Sequence, residues 1–304
     1  MLVFATSDKG GTGRSVTSAN IVYQAASDGA NACYLDFDFG SPTAGAIFQI
    51  SDKSRGTPNR DGLHTYLFDD GPNPVAVNVW EQTNRPELRR RPRNSGRLVL
   101  YPGDEGGSEF SSNPAIVERC ARLFRRLDEQ FDLCLVDLSA GRSFATDIVL
   151  QATRTPDLVH TDARWLIFHR WTRQHIIAAN GLVYGDNGIL ANAEEHGHDP
   201  AKFKRNLRFV RTAYVDPEAE ALQGLRSGQI SWLHKFDQEL TALAGKNRLG
   251  QTTTLGTVPL DPLLQWREQL ILEDDTHKLV ANEQTVKAFI DLAMQVRKDV
   301  WEAL

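Results

Sequence analysis

The stretch Ser7-Asp8-Lys9-Gly10-Gly11-Thr12-Gly13-Arg14-Ser15 lies between an apolar run, Leu2-Val3-Phe4-Ala5, and a helical pattern that begins at Val16. A strand that feeds a glycine-rich turn and then a helix is the context of a phosphate-binding P-loop. The glycines let the backbone curl so that successive N–H groups face phosphate oxygens. The helix start adds its unpaired N–H groups and the positive end of its dipole. On this reading Gly10, Gly11, Thr12, Gly13, Arg14, Ser15 and Val16 form the phosphate site, and the Ser15 hydroxyl stands where such a loop ligates Mg²⁺.

Working outward, the chain of 304 residues, 41% hydrophobic, is long enough for a large core and suits one α/β domain or two small ones. We read residues 1–304 as a single domain with an irregular, Arg-rich insert at about 51–97. The net charge of −5 argues against general polyanion binding and leaves room for a local basic patch. Cys33, Cys120 and Cys134 are scattered without C-x-x-C spacing, which indicates neither a disulfide framework nor a zinc site. No apolar run approaches the roughly 20 residues of a membrane span, and no signal-peptide pattern opens the chain. The expectation is a soluble, cytoplasmic protein.

Strand-like and helix-like stretches alternate, which predicts a three-layer α/β fold: a mostly parallel twisted sheet with helices on both faces. Val16 to Ala26 reads as the first helix, with Ile21, Val22 and Ala25 inward. Ala32-Cys33-Tyr34-Leu35 reads as a buried parallel strand running into Asp36-Phe37-Asp38. Carboxylates at the C-terminal end of such a strand, beside a P-loop, face the ligand cleft. The insert shows only two short ordered stretches, Leu63 to Phe68 and Val75 to Trp80. It ends in a run holding Arg85, Arg89, Arg90, Arg91, Arg93 and Arg97. That patch suits phosphates of nucleic acid, an anionic protein, the nucleotide, or plain solvent exposure.

Leu98 to Tyr101 resumes the strand pattern, and Ala115 to Glu129 is an amphipathic helix. Phe131 to Asp137 then reads as a strand whose apolar run ends in Asp, a Walker B pattern that sets a carboxylate beside Mg²⁺. Asp157 to Thr161 reads as a further strand, and Ala163 to Tyr184 as a long helix bearing Trp165, Ile167, Phe168 and Trp171. Glu194, Glu195, His196, His198 and Asp199 offer metal-ligand types, but without a second ligand cluster. Asn206 to Thr212 and Thr253 to Asp261 read as the last strands. Glu283 to Leu304 closes the domain as a helix with Val286, Phe289, Ile290, Met294 and Trp301 inward. Its mixed charges favour core packing over a membrane surface.

The run Lys9 to Ser15 resembles the deviant Walker A motif, K-G-G-x-G-K-[ST], of the ParA/MinD family of SIMIBI-class ATPases. It departs from that motif at Arg14, where the family has its phosphate-binding lysine. Asp36-Phe37-Asp38 looks like the family's switch I, and Phe131 to Gly141 like its switch II. The segment Gly256-Thr257-Val258-Pro259 is similar to its last strand. The resemblance implies ATP or ADP and Mg²⁺ as ligands and a nucleotide-dependent homodimer. It gives Lys9 a reach across that dimer to the partner's phosphates, and gives Lys9 and Arg14 the stabilisation of phosphate charge. Asp38 would orient the attacking water, Asp36 would help hold the Mg²⁺ hydration shell, and Asp137 would be the Mg²⁺-associated carboxylate. Gly141 would sense the γ-phosphate, and Pro259 would introduce residues that lie against the base.

No cysteine stands at Ser139 or Ala140 to resemble the nitrogenase iron protein's cluster ligand, and no N-K-x-D guanine motif is present. A guanidinium can hold phosphate bidentately but sits differently from a lysine ammonium. Two readings follow: an ATP-dependent switch with slow or impaired hydrolysis, used in positioning, partitioning or regulation, and a non-hydrolysing scaffold. A third, DNA binding through Arg89, Arg90 and Arg91, rests on the arginine run alone.

Overall fold

The structure, a computed structural model, describes residues 1–69, 71, 73–219, 222 and 224–301. Eight strands, β1 (Leu2–Ser7), β2 (Ala32–Phe37), β3 (Val77–Asn78), β4 (Leu98–Tyr101), β5 (Leu133–Leu138), β6 (Ala163–Arg170), β7 (Leu207–Tyr214) and β8 (Thr254–Pro259), form one sheet. Their order is β3-β4-β2-β5-β1-β6-β7-β8. Every pairing is parallel except that of β3, a two-residue edge strand antiparallel to β4.

Both faces of the sheet are covered, so its central strands are apolar throughout. Along β1, Leu2 and Phe4 enter one core, while Val3 and Ala5 enter the other. The first core takes the helices Pro114–Gln130, Phe144–Ala152, Arg173–Tyr184 and Ile189–Glu195. The second takes the first helix, Arg14–Ser27, and the closing helix, Glu283–Val296. Phe4, Phe37, Phe124 and Trp165 form a linked ring cluster with centroids 5.1 to 5.6 Å apart, which fixes β1, β2 and β6 against one helix.

Three expectations need correction. Residues 163–170 are strand β6, not the start of a helix; the helix begins at Arg173, where the Thr172 hydroxyl accepts the His175 N–H. Buried on both faces and paired with β1 and β7, β6 has no polar alternation, and periodicity cannot separate such a run from a buried helix. Asp157 to Thr161 forms turns; Asp157 and His160 are exposed and only Leu158 is buried. The closing helix stops at Val296, with residues 302–304 outside the described residues. It buries Phe289, Leu292, Ala293 and Val296, while Ile290 and Met294 are 40% and 47% exposed. Trp301 lies beyond the helix, its ring stacked by the Arg164 and Arg208 guanidiniums. A twenty-residue helix, Ser227–Lys246, adds an element that no periodic stripe announced; it buries only Leu240 and Ala244.

The insert takes the two elements read from it. Leu63–Phe68 is a helix, and residues after Val75 supply β3 and the helix Val79–Gln82. No helix among the described residues is long and apolar enough to cross a membrane.

Candidate functional site

The loops after β1, β2, β5, β6, β7 and β8 gather at the C-terminal edge of the parallel strands, where α/β sheets bind ligands. β1 lies between β5 and β6, and the chain leaves it through residues 8–13 before entering the first helix at Arg14. Gly11 and Gly13 have φ of 72° and 73°, the left-handed region that a side chain resists. Gly13 caps the helix with no side-chain bond, leaving the first-turn N–H groups free for a ligand. Gly141, at φ 80°, donates its N–H to the Ser7 carbonyl at 2.7 Å and fastens the loop after β5 to the end of β1.

Register brings the carboxylates together: Asp36 of β2 pairs directly with Asp137 of β5. Arg14, 6% exposed, reaches between Asp137 and Asp38, the residue just past the end of β2. Its Nε donates to Asp137 Oδ1 at 2.5 Å, and its Nη2 donates to Asp38 Oδ2 at 3.0 Å and Ser15 Oγ at 3.3 Å. A longer Nη2 contact runs to Asp137 Oδ2 at 3.4 Å. The Tyr34 hydroxyl donates to that same oxygen at 2.7 Å from behind. Burial acts to lower the Arg14 pKa, but the Asp137 and Asp38 carboxylates outweigh it and hold the guanidinium charged.

Asp36 faces elsewhere. It accepts the Ala44 N–H at 2.9 Å and, more loosely, that of Asp38 at 3.4 Å. Burial pushes its carboxyl up to about 8; the Ala44 bond opposes this and the neighbouring Asp137 and Asp38 charges add to it.

A Mg²⁺ ion here would draw on the Ser15 hydroxyl and the Asp137 carboxylate, with Asp36 acting through its water shell. Ser15, Asp38 and Asp137 are all engaged by Arg14, and Asp36 is turned onto backbone. Among the described residues no group of three or more His, Cys, Asp or Glu could hold a metal ion. With Arg14 in this place, the donor set does not fit Mg²⁺.

Beside the loop lies a cavity of about 290 Å³, lined in part by Gly11, Thr12, Gly13, Val16, Arg170 and Pro259. Pocket volumes for small ligands begin near this size. The Thr212 hydroxyl donates to the Thr12 carbonyl at 2.5 Å, so β7 holds the loop from the cavity side. Lys9 is exposed, and its ammonium enters no ion pair or hydrogen bond among the described residues. A larger cavity of about 530 Å³, with Arg154, His160 and Phe203 in its wall, includes none of the phosphate-loop residues.

Solved structures of low sequence identity share this architecture. The MinC:MinD cell division protein complex of Aquifex aeolicus matches with a TM-score of 0.58 at 17% identity, over 97% of this chain and 95% of that one. The chain has the fold of the MinD and ParA ATPases. A ParA family ATPase of Chlorobium tepidum matches with a TM-score of 0.55 at 14% identity, over 96% and 98% of the two chains. A putative plasmid partition protein of Borrelia burgdorferi, bound to AMPPNP, matches with a TM-score of 0.57 at 13% identity, over 97% and 96%. No protein-family model matches the chain, and no curated protein matches its sequence.

Within this MinD/ParA fold, the sequence-predicted residues Gly10 to Val16, Asp36, Asp38, Asp137, Gly141 and Pro259 fall at one edge of the sheet. Tyr34, Arg170 and Thr212 join them unannounced. A buried tyrosine two residues before Asp36, on the same strand face, was the available signal for Tyr34, since its hydroxyl must find a partner. Arg170 was hidden by reading β6 as helix.

The arginine run lies elsewhere. It leads into β4 and so sits at the N-terminal edge of the strands, opposite the phosphate loop. Arg85 is interior, donating to Leu270 O at 2.8 Å and Asp275 Oδ1 at 2.5 Å. Arg89, Arg90 and Arg91 are exposed. His196 bonds Asp147 and His198 bonds the Leu150 carbonyl, both at 2.8 Å, so neither is held for a metal.

Proposed function

We propose that this chain is an ATP-binding, dimerising switch of the MinD/ParA type with slow or impaired hydrolysis, serving positioning, partitioning or regulation. The observation that carries the reading is the loop itself. Gly11 and Gly13 in left-handed conformation, an uncapped helix start and the Gly141–Ser7 tie build an anion cradle at the sheet's ligand edge. The adjoining cavity by Arg170 and Pro259 takes the base and ribose. Lys9, exposed and unengaged, is the residue that reaches phosphate on a second copy. Gly141 reports the γ-phosphate because its backbone is already coupled to the loop end.

The scaffold reading has one observation in its favour: Arg14 bonds Asp38, the residue that would orient the attacking water, at 3.0 Å. A carboxylate neutralised in this way is a poor director of water, and in phosphoryl transfer positioning and electrostatics supply most of the catalysis. Slow turnover follows from the switch reading, and no turnover from the scaffold reading.

Sedimentation velocity with ATP, ADP or no nucleotide, run beside a phosphate-release assay, separates them. The switch reading expects a dimer with ATP only, its loss in Lys9→Ala, and slow release. Nucleotide-independent mass with no release would favour the scaffold.

A further inference from the structure

We propose that the Arg14 guanidinium is the resident cation of this site, standing in the place of a divalent metal, so that the loop takes a nucleotide polyphosphate without Mg²⁺. The inference rests on the nucleotide reading above and concerns how the charge of that ligand is met.

Arg14 gathers the oxygens that a metal would draw on, namely the Ser15 hydroxyl and the Asp137 carboxylate, together with the carboxylate of Asp38. Asp137 is 1% exposed, and its two oxygens are divided between Arg14 Nε and the Tyr34 hydroxyl. A buried carboxylate needs a permanent counter-charge, and a guanidinium stays protonated at any working pH. An exchangeable metal cannot enter without expelling Arg14 from this ion pair.

One part of the side chain remains available. Nε and Nη2 carry all the bonds to Asp137, Asp38 and Ser15, while Nη1 has no partner among the described residues. Arg14 is the first residue of the helix behind the glycine turn, so its guanidinium is carried by the element whose first-turn N–H groups form the cradle. The planar fork therefore ties the two carboxylates with one edge and offers N–H donors to a phosphate with another, which a spherical ion does through its coordination shell.

The test is binding of an ATP analogue, followed by fluorescence, to wild type and Arg14→Lys in Mg²⁺ and in EDTA. Mn²⁺ binding to the same proteins is read by electron paramagnetic resonance. Wild type should bind equally, within about twofold, in both buffers and should take up no Mn²⁺. Arg14→Lys should bind at least tenfold more weakly in EDTA than in Mg²⁺ and should immobilise Mn²⁺ with nucleotide. Wild-type binding that needs Mg²⁺ by tenfold or more, or stoichiometric Mn²⁺ in wild type, overturns the inference while leaving the nucleotide reading intact. Wild type that binds nucleotide in neither buffer overturns both. The wild-type comparison stands by itself should Arg14→Lys not fold.

Discussion

Replacing Arg14 by methionine keeps most of the side chain's volume and removes the guanidinium from between Asp137 and Asp38. Asp38 is 29% exposed and regains water, so its loss is small. Asp137 cannot: at 2% side-chain exposure it loses the 2.5 Å bond from Nε and keeps only the Tyr34 hydroxyl. Breaking one partner of a buried ion pair costs about 3–5 kcal/mol, because it strands the other charge. At roughly 2 °C per kcal/mol for a chain of this size, the melting temperature should fall by about 6–10 °C. Adding Asp137→Asn removes the stranded charge and should recover at least half of the loss. The assay is thermal and urea unfolding of wild type, both single variants and the double variant, in EDTA without nucleotide. A loss below about 1 kcal/mol for Arg14→Met, or additive singles with coupling under about 0.5 kcal/mol, would refute the buried pair.

Three further outcomes follow from the structure. His169 is 1% exposed with Nε2 unpaired, and burial, with lesser help from Arg211 and His175, lowers its pKa to about 4. The unfolded chain takes up that proton below about 6.5 and the native chain only near 4, so stability falls with pH across this window by about 3 kcal/mol in total. Urea midpoints of wild type and His169→Phe at pH 7, 6, 5 and 4.5 should diverge as pH falls, wild type losing more; parallel profiles would reject this. In the arginine run, Arg85→Ala breaks the buried pair with Asp275 and should cost about 3–5 kcal/mol. The triple change of Arg89, Arg90 and Arg91 to alanine touches exposed side chains and should cost about 1 kcal/mol or less by the same unfolding assay.

What the sequence disclosed was governed by chain-local chemistry. Glycines in a turn between an apolar run and a helix announce a cradle, because few other arrangements require them. Asp36, Asp38 and Asp137 announce a cleft, because each ends an apolar strand. The sheet of alternating strands and helices followed from the same punctuation. What stayed hidden depended on neighbours far along the chain. β6 looks like helix until β1 and β7 are known to flank it. The inward face of the closing helix slipped because Ile290 and Met294 are apolar yet remain 40% and 47% exposed. The helix Ser227–Lys246 buries too little to show a stripe; its Trp232 and Phe236 stack on each other at 4.9 Å, with Trp232 59% exposed. The direction of the Arg14 side chain was the least legible feature. A positive residue behind a glycine loop suggests phosphate, and only the approach of β2 to β5 reveals a stronger attraction to Asp137.

The central claim is that residues 8–15 cradle a nucleotide. Equilibrium binding of radiolabelled ATP to wild type and to Gly13→Val tests it most directly, since valine at φ 73° cannot keep the turn that ends the loop. The account predicts saturable binding of one ATP per chain in wild type and its loss in Gly13→Val, with the variant still folded by circular dichroism. Equal binding by both proteins, or none by wild type, would contradict it.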